Sequence, residues 1–538
     1  MTRRNTDESP TVSHLGQTEP AFRFIDLFAG IGGFHAVMKS FGGECVYAVE
    51  VDKQAAGVYQ ANWGHAPNGD GQDHLGGSAG DITLDADDDL GVMRVPEHDV
   101  LCAGFPCQPF SKSGAQRGMD ESRGTLFFNI ASIIKTHHPK VVLLENVRNL
   151  IGPRHEHEWD VIIRTLREEG YNVSARPAIF SPHLLPKHLG GTPQVRERVF
   201  ITATYAPQSV PRLPNGDIDT VTDGPPPVAT MHDRFPRTRE SNAPLFDPGS
   251  EAGGWNLLDS GLLDDTHNVA GCELTATEHH WIDAWDEFVG FMRDRTQESL
   301  KGFPYWADSW LDFPEARAAM RRAPLPRKNS KTGLIEPASD KNFRLPTKVT
   351  RPDIDPSLPA WKQSHLRRNY DAFEAHWRDI LPWAWRWGVY TDLFPTSRRK
   401  LEWQAQNAKR LWDTVMHFRP SGIRAKRPTY LPALVAITQT SIVGPLERRL
   451  SPRETARLQG LPDSFIFPNQ PASATYKQMG NGVAVGAVQH VFREHVLRDE
   501  DLLAADPDGV GSRIVAAAKE TTPDLVVERL ERHKPAHG

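Results

Sequence analysis

Cys107 stands in Gly104-Phe105-Pro106-Cys107-Gln108-Pro109-Phe110-Ser111, directly after the apolar run from Val100 to Ala103. The apolar run predicts a buried strand, and Pro106 and Pro109 stiffen the loop that follows, so the thiol is fixed just beyond the strand. In an open parallel sheet, ligands collect beyond the carboxyl ends of the strands. A thiol there could act as a nucleophile. A lone cysteine is more often a small buried apolar side chain, and the choice between the two depends on its neighbours.

Three other stretches supply groups that could act with it. Val141 to Leu144 reads as a second short buried strand, and Glu145-Asn146-Val147 at its carboxyl end brings a carboxylate to the sheet edge of Cys107. Gln194, Arg196 and Arg198 lead into the apolar run Val199 to Ala203, and period-two alternation predicts all three on one face. A solvated edge strand would show the same pattern. Phe22 to Phe28 predicts a strand, Ala29-Gly30-Ile31-Gly32-Gly33 a tight turn, and Phe34 to Phe41 a helix. Glycines let the backbone approach a ligand and the helix start adds partial positive charge, although the spacing is not the dinucleotide Gly-x-Gly-x-x-Gly. A strand from Cys45 to Val49 ends in Glu50, about twenty residues on, where a carboxylate can accept from two ribose hydroxyls. Asp81 could accept from an exocyclic amine with Ile82 packed on the ring, or serve as an ordinary turn aspartate.

The elements that must position these groups alternate regularly. Helices are predicted over Gln54 to Trp63, Arg123 to His137 and His155 to Glu169, and a strand over Tyr171 to Phe180. This alternation makes the fold class α/β, a doubly wound domain. Ser111 to Ser122 is rich in Gly, Ser and charge and reads as a mobile loop. From residue 207 to 445 the alternation stops and a separate domain is expected, holding 12 of the 14 tryptophans. Its aromatics could pack a core or stack on bases. Ser451, Pro452 and Glu454 mark a capped helix start, with Pro462 its end. Gly480-Asn481-Gly482 reads as a turn before an apolar helix from Ala484 to Leu497, and residues 499 to 538 as a carboxyl-terminal tail.

With 538 residues and 39% apolar content the chain can build two or three cored domains. No apolar run approaches membrane-span length, and Met1 to Pro20 is polar without a secretion signal, so a cytoplasmic protein is expected. Four cysteines without a Cys-x-x-Cys pair indicate neither a zinc site nor a disulfide framework. The net charge of −6 hides an uneven distribution. Lys341 to Tyr430 carries 18 Lys and Arg against 8 Asp and Glu, whereas Asn68 to Val100 has nine acids and Arg94 alone as a base. The late surplus suits a polyanionic partner or a merely solvated face.

The order of these motifs resembles that of the cytosine-C5 DNA methyltransferases, bacterial type II modification enzymes. Carrying it are Asp26-Leu27-Phe28-Ala29-Gly30-Ile31-Gly32-Gly33, Pro106-Cys107-Gln108, Glu145-Asn146-Val147, Gln194/Arg196/Arg198, Arg449-Leu450-Ser451-Pro452-Arg453-Glu454 and Gly480-Asn481. The resemblance covers residues 22 to 205 and 446 to 498. It implies an S-adenosylmethionine-dependent, Rossmann-like catalytic domain (22–206, resuming at 446–498) interrupted by a target-recognition domain (207–445), with a disordered tail at 1–21. It further implies Cys107, Glu145, Arg196 and Arg198 as catalytic, and Phe28, Ala29, Gly30, Ile31, Gly32, Gly33, Glu50, Asp81, Ile82, Pro106, Leu126, Asn481 and Val483 at the cofactor.

In that chemistry Cys107 adds to C6 of a flipped cytosine, Glu145 neutralises N3, Arg198 holds O2, and Arg196 positions a phosphate and the cysteine loop. The Ser111 to Ser122 loop would be the lid. The implied partner is double-stranded DNA, with a restriction endonuclease acting on the same site and the methylase itself a monomer, at work on the nucleoid. A tRNA-methylating relative is disfavoured because no Cys-Phe-Thr tripeptide occurs in the late segment. The complete set of Cys107, Glu145 and Arg198 argues against a catalytically silent DNA-binding relative.

Overall fold

β1, Phe22–Leu27, is apolar on both faces apart from Arg23 and Asp26, as a strand covered on both sides of a sheet must be. It is followed by α1 (Gly33–Ser40), β2 (Gly43–Val49), α2 (Lys53–Trp63), β3 (Val100–Gly104), α3 (Leu126–His137), β4 (Val141–Val147) and α4 (Glu156–Glu168). Three more strands complete the layer: β5 (Tyr171–Val173), β6 (Ala178–Phe180) and β7 (Arg198–Tyr205). The computed structural model describes residues 19–67, 80–88, 90–106, 126–219, 222–228, 255–296, 300, 302–406, 408–435 and 440–522.

The sheet order is β2-β1-β3-β4-β7-β5, with β6 also on β7. β2, β1, β3 and β4 run parallel, and β7 is antiparallel to β4, β5 and β6. This is the doubly wound α/β sheet that the alternation predicts. β1 and β3 are neighbours although α1, β2 and α2 lie between them in sequence, so the winding reverses there and opens a crevice at the carboxyl ends. The strand predicted over Tyr171 to Phe180 is two strands, because Ser174 turns the chain by donating its hydroxyl to the Arg176 carbonyl at 3.0 Å.

The second unit contains α5 (Ala276–Thr296), α6 (Ala360–Arg386) and a six-stranded sheet. Its strands are β8 (Pro304–Trp306), β9 (Lys400–Gln404), β10 (Val415–Arg419), β11 (Gly422–Lys426), β12 (Ile442–Val443) and β13 (Arg448–Arg449), in the order β8-β9-β11-β10-β12-β13. Trp285, Trp310, Trp383 and Trp403 are all less than 2% exposed. The Phe288 ring centroid lies 5.1, 5.7 and 5.1 Å from those of Trp285, Trp310 and Trp383. The tryptophans therefore build a core. Trp361, in the first turn of α6, is an exposed exception.

Packing moves the boundaries expected at 206/207 and 445/446. Arg167 of α4 donates to the carbonyls of Asp219 (2.5 Å) and Thr222 (3.0 Å), which ties that stretch to the first unit. Leu263 packs in the first core and Leu274 in the second, so the outward crossing lies between them. On the return, β13 still belongs to the second sheet, whereas Leu450 is in the first core. Arg448 and Glu454, both fully buried, clamp this crossing with two 2.9 and 2.8 Å bonds. Arg448 also donates to the Asp264 and Thr266 carbonyls, so no buried charge is left unpaired.

α7 (Pro452–Leu458) starts with the predicted capping box but stops before Pro462. Gly460, at φ +82°, turns the chain and lets Leu461 N bond back to the Ala456 carbonyl. α8 (Ala472–Asn481), α9 (Val485–Arg498), α10 (Glu500–Ala504) and α11 (Val510–Glu520) follow. The last two correct the expected tail at 499–538. Leu503, Ile514, Val515 and Ala518 are buried in the first core, and Asp506 pairs with Lys140 at 2.6 Å. α11 is amphipathic, and its apolar face covers the first core. The predicted tail at 1–21 lies outside the described residues up to 18. No described helix is long and apolar enough to cross a membrane.

Candidate active site

At the carboxyl ends of β1, β3 and β4 lies a cavity of about 390 Å³. Its first wall is the turn after β1. Phe28 adopts φ +57°, unusual for a side chain of that size, and Gly30 the same φ with open space where a Cβ would stand. Phe28, Ala29, Gly30, Ile31 and Gly33 line the cavity. Gly32 does not: a Cβ there would fall 2.0 Å from Trp63 Nε1, so this glycine serves the packing of α2 against the turn. Glu50 closes the wall by accepting from Gly30 N at 2.8 Å and Asp52 N at 2.7 Å. Burial raises its carboxyl above the ordinary range.

The opposite wall carries the reactive groups. In the parallel register of β3 and β4, Gly104 lies directly opposite Glu145, and Gly104, Phe105, Pro106, Glu145 and Arg198 all line the cavity. Cys107 lies outside the described residues, as do Arg123 and the Ser111 to Ser122 loop. The described chain stops one residue short of it, at Pro106. Glu145 is buried, and Arg198 Nε approaches its Oε1 to 2.9 Å. That contact is an ion pair without hydrogen-bond alignment, and Oε1 has no hydrogen bond among the described residues. Burial raises the Glu145 carboxyl, outweighing the nearby charges of Arg198 and Arg196.

Arg196 and Gln194 depart from the predicted shared face. The chain leaves a short strand at Gln194–Val195, which pairs with Leu431–Pro432, and re-enters β7 only at Arg198. Arg196 is 1% exposed and spends its guanidinium on the carbonyls of Leu434, Gly480 and Gly482. It braces the cavity wall and is not available to a phosphate. Burial pushes its pKa down to about 9. Gln194 bridges the Leu458 carbonyl and Leu434 N.

Gly480 and Asn481 are the last turn of α8, and Gly482 N bonds back to the Gln478 carbonyl at 2.7 Å, so the predicted turn is a helix end. Asn481 and Val483 line the cavity. Asp81, Ile82 and Leu126 are not among its lining residues. Asp81 accepts from Thr83 N and Oγ1, the turn-aspartate alternative, while Ile82 packs in the core with Leu126 against its edge. Three contributors had no reading of their own in the sequence. Asn146 Nδ2 donates to the Phe105 carbonyl at 3.0 Å and so tethers the start of the cysteine loop to β4. Asp52 and Lys477, 425 positions apart, pair at 2.8 Å at the cavity. No local spacing could have linked those two.

The C-5 cytosine-specific DNA methylase profile matches residues 22–496. The chain belongs to that family. It is 58% identical over 532 residues, 96% of this chain and 99% of that protein, to Type II methyltransferase M.AluI of Cellulosimicrobium cellulans. It is 43% identical over 179 residues, 33% of this chain and 48% of that protein, to Type II methyltransferase M.HhaI of Haemophilus parahaemolyticus. Among solved structures, a Spodoptera frugiperda DNMT2 mutant aligns over 88% of this chain and 99% of that chain, at 14% identity and TM-score 0.39. The methylase is accordingly a DNA cytosine-5-methyltransferase, built on a doubly wound, Rossmann-like α/β sheet.

Proposed function

We propose that the protein methylates C5 of a flipped cytosine within one short duplex DNA sequence, using S-adenosylmethionine and a covalent Cys107–C6 adduct. The observation that carries this reading is the register placing Gly104, three residues before Cys107, opposite a buried Glu145 that Arg198 approaches to 2.9 Å. The other wall fits the cofactor. The turn from Phe28 to Gly33, with Asn481 and Val483, leaves an open cradle, and the Glu50 oxygens keep lone pairs for ribose hydroxyls. Bound there, S-adenosylmethionine supplies an electrophilic methyl group. Pro106 and Gly33 complete the cradle; Gly32 lets α2 pack against the turn, Ile82 and Leu126 belong to the core on which Phe28 packs, and Asp81 caps the turn that carries Ile82.

Cytosine C5 is a weak nucleophile until C6 is attacked. The Cys107 thiolate forms the S–C6 bond, the C5=C6 pair shifts to C4=C5, and the C4=N3 pair moves onto N3, which takes a proton from Glu145. Glu145 lines the cavity, and burial, which raises its carboxyl, favours the protonated form that can donate there. Arg198 holds the base O2, and Arg196 keeps the 480–482 wall in place behind it. C5 then receives the methyl group. Loss of the C5 proton to water re-forms C5=C6 and expels the thiolate, and N3 returns its proton to the Glu145 carboxylate. A base stacked in a duplex cannot enter such a cavity, so the target must be rotated out.

The long match to a type II methyltransferase fits a protective role; the proposed setting is the cytoplasm, with a nuclease that cuts the same unmodified sequence and the methylase acting as a monomer. Base-resolution conversion sequencing of DNA from cells expressing the protein tests the reading. Conversion-resistant cytosines confined to one short sequence are expected; DNA whose cytosines all convert would overturn it.

A further inference from the structure

The sheet of the inserted unit has two unlike faces. Leu401, Trp403, Met416, Phe418, Ile423 and Ala425 point into the aromatic core. On the other face Val415 and Val443 pack into the core of the first unit, so this face is turned toward the catalytic domain. Beyond that contact the same face carries one cross-strand row, Glu402 opposite Arg424 opposite His417, with Lys426 and Arg419 on either side. All of these are half-buried, Arg419 among them.

The row continues to the active site. Five residues after Lys426 the chain reaches Leu431, which pairs with Gln194, and the Leu434 carbonyl accepts from Arg196. His417 and Met479 line one small cleft, and Met479 also lines the catalytic cavity. Cations are packed closely here. Lys426 has no ion pair among the described residues, and burial together with Arg424 and Arg419 depresses its ammonium. A polyanion arriving over this face would relieve that repulsion.

Arg424 is held in a defined pose. Its Nε and Nη2 both lie 2.8 Å from Glu402 Oε2, and Glu402 is its only partner among the described residues. Arg419 Nη1 stands 3.9 Å from the same oxygen. Side-on pairing through Nε and one Nη2 hydrogen leaves the end of the guanidinium, Nη1 and the second Nη2 hydrogen, as a two-donor fork. Such a fork matches O6 and N7 of guanine in the major groove.

We propose that this face reads the target duplex, with Arg424, steered by Glu402, hydrogen-bonding one guanine of the modification sequence and Lys426 contacting a backbone phosphate. The inference rests on the reading of the protein as a sequence-specific DNA methylase. It adds which side chains choose the sequence.

The test uses the full-length protein with S-adenosylmethionine, duplexes carrying the modification sequence and every single-base variant of it, and Arg424→Gln, Arg424→Lys, Glu402→Gln and Lys426→Gln. Melting temperature and cofactor affinity are measured alongside, and Arg424→Lys keeps the charge if Arg424→Gln folds poorly. Arg424→Gln and Arg424→Lys are expected to lower kcat/KM on the target roughly 5- to 150-fold and to abolish the penalty for replacing one guanine, leaving the other positions unchanged. Glu402→Gln should do the same more weakly. Lys426→Gln should weaken every duplex alike and reduce the slope of log affinity against log salt by about 1. Unchanged positional penalties in both Arg424 variants, or a wild-type salt slope in Lys426→Gln, would overturn the proposal. Wild-type protein that binds duplex DNA but deposits no methyl group would instead sink the catalytic reading, and the salt-slope arm would still judge Lys426.

Discussion

In the first unit the strands carry Val, Ile and Leu through the middle of the sheet, and one set of buried polar groups lies at the carboxyl edge. Asp26, Asn146 and Arg196 are each bonded to backbone groups there, and Glu145 beside them pairs with Arg198. The inserted unit has a larger aromatic core, and its buried polar side chains tie loops together. Asn369 accepts from Trp306 N and donates to the Pro304 and His365 carbonyls, while His280 bonds the Ile335 and Trp387 carbonyls. None of these groups lines the catalytic cavity. The first arrangement stores ionisable groups where a reaction can use them; the second stores bulk, and leaves its chemistry to the uncovered face of a sheet.

That contrast can be broken at several points. Glu145→Gln keeps the shape and a donor but has no proton to give, so kcat should fall about 10²- to 10⁴-fold with little change in melting temperature. The raised Glu145 carboxyl stays protonated at higher pH than an ordinary glutamate, and wild-type kcat should decline as pH rises through that range. A pH–rate profile checks this, since the variant should lack that decline. Trp383→Ala in the second core should cost about 3–5 kcal/mol in denaturant unfolding while leaving S-adenosylmethionine affinity at wild-type values. A large loss of cofactor affinity would show that the two units do not divide the work as described.

The smallest effect is one of acid stability. Burial pushes His98, His183 and His495, all in the first unit, down to about 4. Between that value and the ordinary 6.5 these imidazoles are neutral when folded and protonated when unfolded. Their contribution is therefore present above pH 6.5 and is lost as pH falls toward 4. Asp26 and Glu145, raised by burial, act in the opposite direction, so the informative quantity is a difference. The stability gap between wild type and His495→Gln should shrink by about 1–3 kcal/mol as pH falls from 6.5 toward 4. A constant gap would mean that His495 is not held neutral.

How much of this could be read from the residues follows the same division. The glycine turn, Glu50 and Glu145 declare themselves because few residue types can do what their positions require, and strand alternation then places them on one edge. Arg196 misled because alternation was extended through a break: the segment at 194–195 pairs with the inserted unit, and the guanidinium is buried on carbonyls from two remote stretches. Gly480 and Asn481 suggested a turn because Gly and Asn favour turns, yet packing keeps them in the last turn of α8. The carboxyl-terminal helices are not legible because the acids from Asp499 to Asp508 read as solvent-facing until Lys140 is seen beside Asp506. The tryptophans of the inserted unit fix no topology, since many arrangements bury bulk equally well.

The proposed function makes Cys107 the nucleophile of a cavity furnished by Glu145 and Arg198. Its most direct test is Cys107→Ala in the full-length protein, with cofactor and duplex binding measured beside single-turnover methyl transfer. Both affinities should stay at wild-type values while transfer to cytosine C5 disappears. Appreciable transfer by that variant would contradict the account.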